Sequence, residues 1–329
     1  MTEIEIQMDS FMLYCDSKHL SKKTLSSYEQ TLKLFAMYLK DEFKITDPTK
    51  VKTAHIRHYI KYLRERGKYT VVVKEKSKQI NHPDHRHDFN KQLSDTTIAN
   101  YLRNIKVFFN FLHSEREIKI NPVENIENIK PNRKKKALLS PEELKKVLDT
   151  FDLTIFHSYR TWLQTRLILD TGIRAGECCD LRPEVIDFKN KSILIENPKN
   201  NQQRYVYFGF KMSNDLKRWM QYRDRYSDSP YLFPTIRGTK LDVRNFERSL
   251  KQAGNKVGVN IHPHLLRNNF AKYYLLGDNN GYGGGDFATL SRILGHSSVD
   301  VTMKAYLDFT DQEVGRKYQK HSPLSNLDL

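Results

Sequence analysis

The spacing of apolar residues in the N-terminal part of the chain predicts a bundle of amphipathic helices. Apolar side chains recur every three or four positions between residues 25 and 39 and again between residues 98 and 112, so each set lies on one face of a helix. Thr2 and Glu5 have the spacing of a capping box and predict the start of the first helix. Helices with one apolar face are stable when they pack against one another, and we therefore expect residues 1–129 to form a small helical domain.

The pattern changes in the C-terminal part of the chain, where helical and strand-like segments alternate. Ser140 followed by Pro141 predicts the beginning of a helix, since serine caps helices and proline is favoured in the first turn. Residues 192–196 and 205–208 alternate between apolar and polar positions, and the turn-forming residues between them predict a β-hairpin. We expect residues 140–329 to form a mixed α/β domain, so that the whole chain is mostly α with a small β-sheet.

The composition narrows the choice of partner. The 329 residues carry a formal net charge of +16, with a pI near 9.5, and a folded chain of this charge most often binds a polyanion such as nucleic acid. Solubility alone is the competing interpretation of the charge. The basic segment 130–139 has no apolar periodicity and is typical of a linker between two domains; in a DNA-binding protein it would lie along phosphates.

The cysteines and the apolar segments bear on the compartment. The three cysteines are an odd number and indicate neither a disulfide framework nor a paired metal site. The first residues of the chain lack the apolar run of a signal peptide, and no apolar segment approaches the length of a membrane span. We therefore expect a cytoplasmic protein without a membrane partner.

Four short motifs in the C-terminal domain carry residues suited to chemistry on a phosphate. Each motif alone occurs by chance in many proteins, and a structural role is then the better interpretation. All four, in this order in one strongly basic chain, are hard to explain by chance, and together they predict a catalytic site. The candidate residues are Arg174 and Glu177 in a Thr-Gly-Ile-Arg-Ala-Gly-Glu stretch, Lys199 in the hairpin turn, His264 and Arg267 in a His-Leu-Leu-Arg motif, His296 after Leu-Gly, and Tyr306 ten residues later.

This set of motifs resembles the tyrosine recombinase family, which includes the integrases and the Xer- and Cre-like recombinases. The resemblance covers essentially the whole catalytic domain, and the N-terminal domain resembles the helical, SAM-like core-binding domain of that family. It implies a site-specific recombinase that cleaves and rejoins DNA strands through a 3′-phosphotyrosine intermediate, for integration, excision or transposition of a mobile element. It also implies a reaction without ATP, metal ion or other cofactor.

The resemblance assigns a role to each candidate residue. Tyr306 would be the nucleophile. Arg174 and Arg267 would bind the non-bridging phosphate oxygens through paired N–H donors whose charge does not titrate away. Lys199 would protonate the leaving 5′-hydroxyl, and His264 would either donate to the phosphate or handle the tyrosine proton.

Two further residues complete the implied site. His296 would be another hydrogen-bond donor to the phosphate. Glu177 lies one helical turn after Arg174 and is placed to orient that arginine or a neighbour, although an ordinary surface ion pair is the competing interpretation. Cys178 and Cys179 follow on the same helix and are interpreted as packing residues, not as nucleophiles.

The two domains are expected to form a clamp around double-stranded DNA, with the helices at residues 24–39 and 97–112 as the major-groove elements. By resemblance, a homo-tetramer would assemble on two DNA sites with exchange of the C-terminal tail, and accessory proteins would be conceivable partners. The candidate DNA contacts are Lys22, Lys23, Asn100, Arg103, Lys106, Arg133, Lys134, Lys135, Lys136 and Arg204.

Other functions remain open from the sequence. A chromosome-dimer-resolving, Xer-like recombinase is an alternative within the same family. A type IB topoisomerase shares the tyrosine, arginine, lysine and histidine chemistry but relaxes supercoils as a monomer. The full set of catalytic residues argues against a DNA-binding protein with a dead site, and an RNA-binding protein would be expected to show a recognition signature that this sequence lacks. Strand exchange between two defined sites would distinguish a recombinase from these last three.

Overall fold

The chain consists of two compact units, which are described separately. The structure is a computed structural model that describes residues 1–73, 75–130, 138–196, 203–277 and 284–306, with the backbone alone for residues 75–77 and 304–306. The first unit is Met1–Lys135 and the second is Lys136–Leu329. The division falls inside the expected linker, residues 130–139, most of which lies outside the described residues.

The first unit is helical, as the apolar periodicity predicts. The Thr2 hydroxyl accepts a hydrogen bond from the Glu5 amide, and the Glu5 carboxylate accepts one from the Thr2 amide, so the predicted capping box is confirmed. The α-helices among its described residues are α1 (Glu3–Ser17), α2 (Lys22–Phe43), α3 (Thr53–Glu65), α4 (Glu75–Asn81) and α5 (Asp95–Ser114).

Helices α2 and α5 bury the apolar faces that the sequence predicts. On α2 this face includes Leu32, Phe35 and Leu39, which belong to one core cluster with the buried side chains of α5. A polar contact lies within this interface: the buried Asn104 amide on α5 donates to Thr31 Oγ1 on α2 at 3.0 Å. Because a buried polar group is costly without a partner, this hydrogen bond favours one register of the two helices.

The sequence does not predict helix α4, and its composition explains why. The helix is polar along most of its length, and its isoleucine, Ile80, is 77% exposed. A helix that buries no apolar face leaves no hydrophobic period in the sequence, so the periodicity cannot reveal it.

The second unit combines helices with a three-stranded antiparallel sheet, which confirms the predicted fold class. Strand β2 (Ser192–Ile195) pairs with both β1 (Ile186–Asp187) and β3 (Arg204–Tyr207), and Ile195 lies opposite Arg204. The hairpin strands are those that the sequence predicts, whereas β1 has two residues and is too short to show alternation. The α-helices among its described residues are α6 (Pro141–Leu148), α7 (Phe156–Thr171), α8 (Ala175–Asp180), α9 (Phe210–Arg223), α10 (Val243–Lys256), α11 (Pro263–Leu276), α12 (Phe287–Leu294) and α13 (Val299–Tyr306).

Packing in the second unit brings several element ends to one place. Helix α7 packs against α11, and α12 packs against β3 and α13. Gly172 caps the carboxyl end of helix α7; its φ of +65° is readily adopted only by glycine, and a Cβ at this position would collide with the Phe270 ring. The chain therefore turns sharply from α7 into α8, close to α11. None of the described helices has both the length and the apolar character that crossing a membrane requires.

Candidate active site

The carboxyl end of helix α12 is the centre of the candidate site. The last carbonyl groups of a helix have no partner within it and carry the negative end of the helix dipole. Three arginines from different elements donate to three consecutive carbonyl oxygens at this end. The contacts are Arg204 Nε to Ile293 at 2.8 Å, Arg267 Nη2 to Leu294 at 2.5 Å, and Arg174 Nη2 to Gly295 at 3.0 Å. One helix end thus collects arginines that are distant in sequence.

A single carboxylate, that of Glu177, joins two of these arginines. Its Oε1 accepts from Arg174 Nη1 at 2.8 Å and from Arg204 Nη1 at 3.0 Å, and its Oε2 accepts from Arg204 Nη2 at 2.6 Å. Burial opposes ionisation of this group, but the hydrogen bonds and charges of the two arginines outweigh it, so the pKa of Glu177 lies below its ordinary value. The Glu177 side chain is 7% exposed and that of Arg174 is 28% exposed, so the pair is partly buried and not an ordinary surface ion pair.

Arg204, which is predicted as a DNA contact, lies among protein acceptors in the structure. Its side chain is 7% exposed, and its guanidinium donates to both oxygens of Glu177 and to the Ile293 carbonyl. Its Nε, Nη1 and Nη2 therefore all donate within the protein, and its charge is paired with that of Glu177. Gly295 packs directly against it, since a Cβ there would lie 2.8 Å from Arg204 Cδ. Arg204 thus joins Glu177 to the end of α12.

The two arginines predicted to bind phosphate lie side by side at this helix end. Arg267, on α11, is 4% exposed and also donates from Nη1 to the Gly172 carbonyl at 2.5 Å. Arg174 is the N-cap residue of α8, and its side chain is 28% exposed. Backbone carbonyls orient both guanidinium groups, and because a carbonyl carries no net charge, it does not cancel theirs.

His296 follows directly on the turn that the arginines bind. Its Nδ1 lies 2.7 Å from Thr302 Oγ1, and its Nε2 lies 3.4 Å from Arg267 Nη2. Burial, followed by the positive charges of Arg267 and Arg174, lowers the pKa of His296 to about 4. The ring is therefore neutral at pH 7 in the protein without DNA, with one ring nitrogen as donor and the other as acceptor.

The remaining predicted catalytic residues differ in how far the structure describes them. His264 lies in the first turn of α11, and its charge is among those that lower the pKa of His296, so it belongs to the same site. Tyr306 is the last residue of α13, of which the structure describes the backbone. Lys199 lies outside the described residues. In the part of the chain that is described, no three His, Cys, Asp or Glu side chains are grouped to hold a metal ion.

Comparison with known families identifies the chain. Residues 137–313 match the phage integrase family, and residues 9–79 match the N-terminal SAM-like domain of phage integrases. The chain belongs to the phage integrase family. This result confirms the resemblance to the tyrosine recombinases, which are enzymes that cleave and rejoin DNA strands.

Two sequence relatives of this tyrosine recombinase match it over nearly its full length. It is 26% identical to the tyrosine recombinase XerC of Oceanobacillus iheyensis over 335 residues, with 99% of each chain covered. It is 27% identical to the XerC protein of Thermodesulfovibrio yellowstonii over 338 residues, with 100% of each chain covered.

Solved structures show that the fold is that of the family. The Tn1549 transposon integrase in complex with circular intermediate DNA matches with a TM-score of 0.71 and 16% identity, with 98% of this chain and 100% of that chain covered. A lambda integrase dimer bound to a core site matches with a TM-score of 0.68 and 16% identity, with 93% and 95% covered.

The predicted DNA contacts of this recombinase lie in different surroundings. The exposed ones are Lys22, Lys23, Asn100 and Arg103, on α2 and α5. The ammonium group of Lys106 donates to the Ile126 carbonyl at 2.6 Å, so this lysine also has a role in holding its own unit together. The predicted contacts at residues 133–136 lie outside the described residues.

Proposed function

We propose that this recombinase is site-specific and breaks one strand of double-stranded DNA by attack of the Tyr306 hydroxyl on a phosphodiester. The bond between phosphorus and O5′ breaks as the bond between phosphorus and the tyrosine oxygen forms, which leaves a 3′-phosphotyrosine and a free 5′-hydroxyl. A 5′-hydroxyl from a second site then attacks this link and rejoins the strand. The observation that carries the proposal is the convergence of Arg174 and Arg267 on one helix end beside His296.

The reaction requires fixed positive charge, because its transition state concentrates negative charge on the non-bridging oxygens of phosphorus. The backbone carbonyls that hold Arg174 and Arg267 orient their donors before DNA arrives. Donors that need no rearrangement during the reaction are often the largest contribution to catalysis, with roughly a hundredfold or more in rate lost for each one removed. Arg204 and Glu177 act through this arrangement without touching the phosphate.

Two proton transfers accompany the exchange of bonds. The tyrosine hydroxyl has an ordinary pKa near ~10 and becomes a good nucleophile only when its proton is removed or its charge stabilised. We assign His264 to this proton or to a hydrogen bond with the phosphate, and the arginine cluster favours the phenolate. We assign Lys199 to protonate the leaving 5′-oxygen, so that cleavage releases a neutral hydroxyl.

Both units are proposed to contact the DNA. Support comes from the net charge of +16, from exposed basic residues such as Lys22, Lys23 and Arg103, and from the matched recombinases that were solved bound to DNA sites. A homo-tetramer on two sites, exchange of the C-terminal tail and the participation of accessory proteins are part of the same proposal. The tail, residues 307–329, lies outside the described residues.

Two biological tasks fit this chemistry. Integration, excision or transposition of a mobile element is the first, and the likeness of fold to the Tn1549 transposon integrase is in keeping with it. Xer-like resolution of chromosome dimers is the second, and the similarity to XerC proteins over the full length of the chain favours it. A target at the ends of a mobile element would decide for the first task, and a single chromosomal site would decide for the second.

Covalent trapping tests the proposed chemistry. Wild type and Tyr306→Phe would be incubated with nicked duplexes from the native genomic neighbourhood, and SDS-resistant protein–DNA adducts would be counted and sequenced. Cleavage next to the nick releases a short strand that carries the free 5′-hydroxyl. Because this strand diffuses away, it cannot rejoin, and the phosphotyrosine link accumulates. Tyr226→Phe is the matched control, because Tyr226 is an exposed tyrosine of the same unit, three residues after the end of α9.

We expect an adduct with wild type and with Tyr226→Phe, and none with Tyr306→Phe. Equal adducts with Tyr306→Phe would move the nucleophile elsewhere and overturn the assignment. Strand exchange between two copies of the trapped site then separates a recombinase from a type IB topoisomerase, which would relax supercoiled DNA without joining two sites. Tight binding without any adduct would indicate a DNA-binding protein instead.

A further inference from the structure

Thr302 connects His296 to the helix that carries the nucleophile. It lies on α13, one helical turn before Tyr306, and its side chain is completely buried. Its Oγ1 lies 2.7 Å from His296 Nδ1, a short distance for a hydrogen bond that involves a hydroxyl group. The sequence motifs do not single out this residue. It contacts Nδ1, which lies on a different edge of the imidazole ring from Nε2.

The chemistry of the contact depends on which ring nitrogen carries the proton. His296 Nε2 lies 3.4 Å from Arg267 Nη2, and a guanidinium can only donate. A neutral ring that accepts there must carry its proton on Nδ1, and it then donates to Thr302 Oγ1. A ring that donates from Nε2 to a phosphate oxygen must accept at Nδ1 when it is neutral, and Thr302 then has to donate. A hydroxyl group can either donate or accept a hydrogen bond, whereas an aliphatic side chain can do neither.

The charges around the ring favour a change between these states when DNA binds. Burial lowers the pKa of the His296 ring most. The positive charges of Arg267, Arg174, Arg204 and His264 lower it further, to about 4. Glu177 offsets part of the charge of Arg174 and Arg204. A phosphate next to these groups acts in the opposite direction, because its negative charge favours a donor, or a second proton, at Nε2.

We propose that Thr302 is a positioning residue whose hydroxyl holds the His296 ring through this change, and which ties the placement of α13 to the presence of a phosphate in the site. The inference rests on the proposed function, since it concerns how His296 is prepared to meet the phosphate. Without the Thr302 hydroxyl, the ring would lose the contact at Nδ1 that fixes its orientation and its proton. The short segment from His296 to Tyr306 would then lose a fixed point one turn before the nucleophile.

The test compares side chains of similar size with and without the hydroxyl. Thr302→Val removes the hydroxyl and keeps the shape, and Thr302→Ser keeps the hydroxyl. Thr165→Val is the matched control, because Thr165 is also completely buried in the second unit but its hydroxyl donates to the backbone carbonyl of Thr161 at 2.7 Å. The full chain would be used throughout, with ¹⁵N-labelled histidine to follow the tautomer and titration of His296 by NMR, and with nicked DNA to follow the rate of adduct formation.

We expect Thr302→Val to slow adduct formation by roughly tenfold to a hundredfold, because the hydrogen bond that it removes is made to His296, which is proposed to donate to the phosphate. Thr302→Ser should stay within about threefold of wild type, and Thr165→Val should cleave at the wild-type rate. In a His296→Ala background, Thr302→Val should cause little further loss, because the two side chains act as one unit. The His296 ring nitrogens should show a changed tautomer ratio in Thr302→Val only.

Two results would overturn the proposal. One is a wild-type rate and an unchanged His296 tautomer in Thr302→Val. The other is a double variant whose rate of adduct formation falls by the product of the losses in Thr302→Val and His296→Ala. Such a result would indicate that Thr302 has a packing role separate from the ring. Because the NMR readout does not need cleavage, a wild-type protein that forms no adduct would refute the proposed function while the contact between Thr302 and His296 is still tested.

Discussion

Replacement of Glu177 by glutamine should destabilise the second unit strongly. Glu177 and Arg204 are each 7% exposed, and removal of one member of a buried ion pair leaves a buried charge without compensation. Such changes cost about 3–5 kcal/mol, and because glutamine keeps the shape and one acceptor oxygen, we expect about 3 kcal/mol for Glu177→Gln. With a urea dependence of roughly 2 kcal/mol per M, the unfolding midpoint should fall by about 1.5 M.

The two tryptophans make this effect measurable in the full chain. Trp162 and Trp219 both lie in the second unit, so tryptophan fluorescence during urea unfolding reports on that unit alone. Asp180→Asn is the matched control, because Asp180 ends the same helix and pairs with Lys240 at a site where both side chains are about half exposed. An exposed pair contributes at most about 1 kcal/mol, so the control midpoint should fall by less than about 0.5 M.

The dependence on pH gives an independent check on the same ion pair. The pKa of Glu177 in the folded protein lies below its ordinary value of 4.5, so its contribution to stability is fully present above pH 4.5 and is lost as pH falls through the folded value. The difference in unfolding free energy between wild type and Glu177→Gln should therefore be largest near neutral pH and shrink below about pH 4.5. A Glu177→Gln protein as stable as Asp180→Asn, or a difference that persists unchanged into acid, would refute this reasoning.

Two further substitutions and one labelling experiment test other described residues. Gly295→Ala should lower stability by about 1–2 kcal/mol and slow cleavage, because alanine is strained at a φ of +62° and its Cβ would press on Arg204; urea unfolding and adduct trapping measure the two effects. Asn104→Ala should cost about 1–3 kcal/mol in the first unit, visible in far-UV circular dichroism but not in the tryptophan transition. Cys178 and Cys179 should resist iodoacetamide in the native protein and react in urea, because burial raises the pKa of both thiols, that of Cys179 to about 12; mass spectrometry counts the modified sites.

The sequence predicts the helices of the first unit well because their stability comes from apolar faces that recur with the period of a helix. The stripe that includes Leu32, Phe35 and Leu39 is buried as expected, and the capping box at Thr2 forms with both of its hydrogen bonds. Helix α4 lacks such a stripe, and strand β1 is two residues long, so neither leaves a periodic signal. Local sequence patterns therefore do not reveal helices and strands that lack an amphipathic face.

The candidate site shows a different limit of sequence reasoning. Motifs single out Arg174, Arg267 and His296 because these residue types suit phosphate chemistry, and the structure brings them together. Arg204 has the same residue type, but its burial beside Glu177 depends on how β3 packs against α12, which no local pattern records. Thr302 was missed for the same reason, since its distance of six residues from His296 has no meaning until the turn between α12 and α13 is known.

The arrangement of charge explains why a helix end is suited to the centre of this site. Carboxylates would hold arginines more strongly than carbonyls do, but each carboxylate would also cancel one positive charge. At the end of α12, three carbonyl oxygens accept hydrogen bonds from the arginines and carry only the partial charge of the helix dipole. Among the described contacts, Glu177 is the carboxylate that binds these arginines. Glu177 pairs most closely with Arg204, which is buried, so the surplus charge is left to Arg174 and Arg267. The carboxylate thus binds the buried Arg204 through both of its oxygens and Arg174 through one, while the carbonyls of Gly172 and Leu294 alone hold Arg267 among the described contacts.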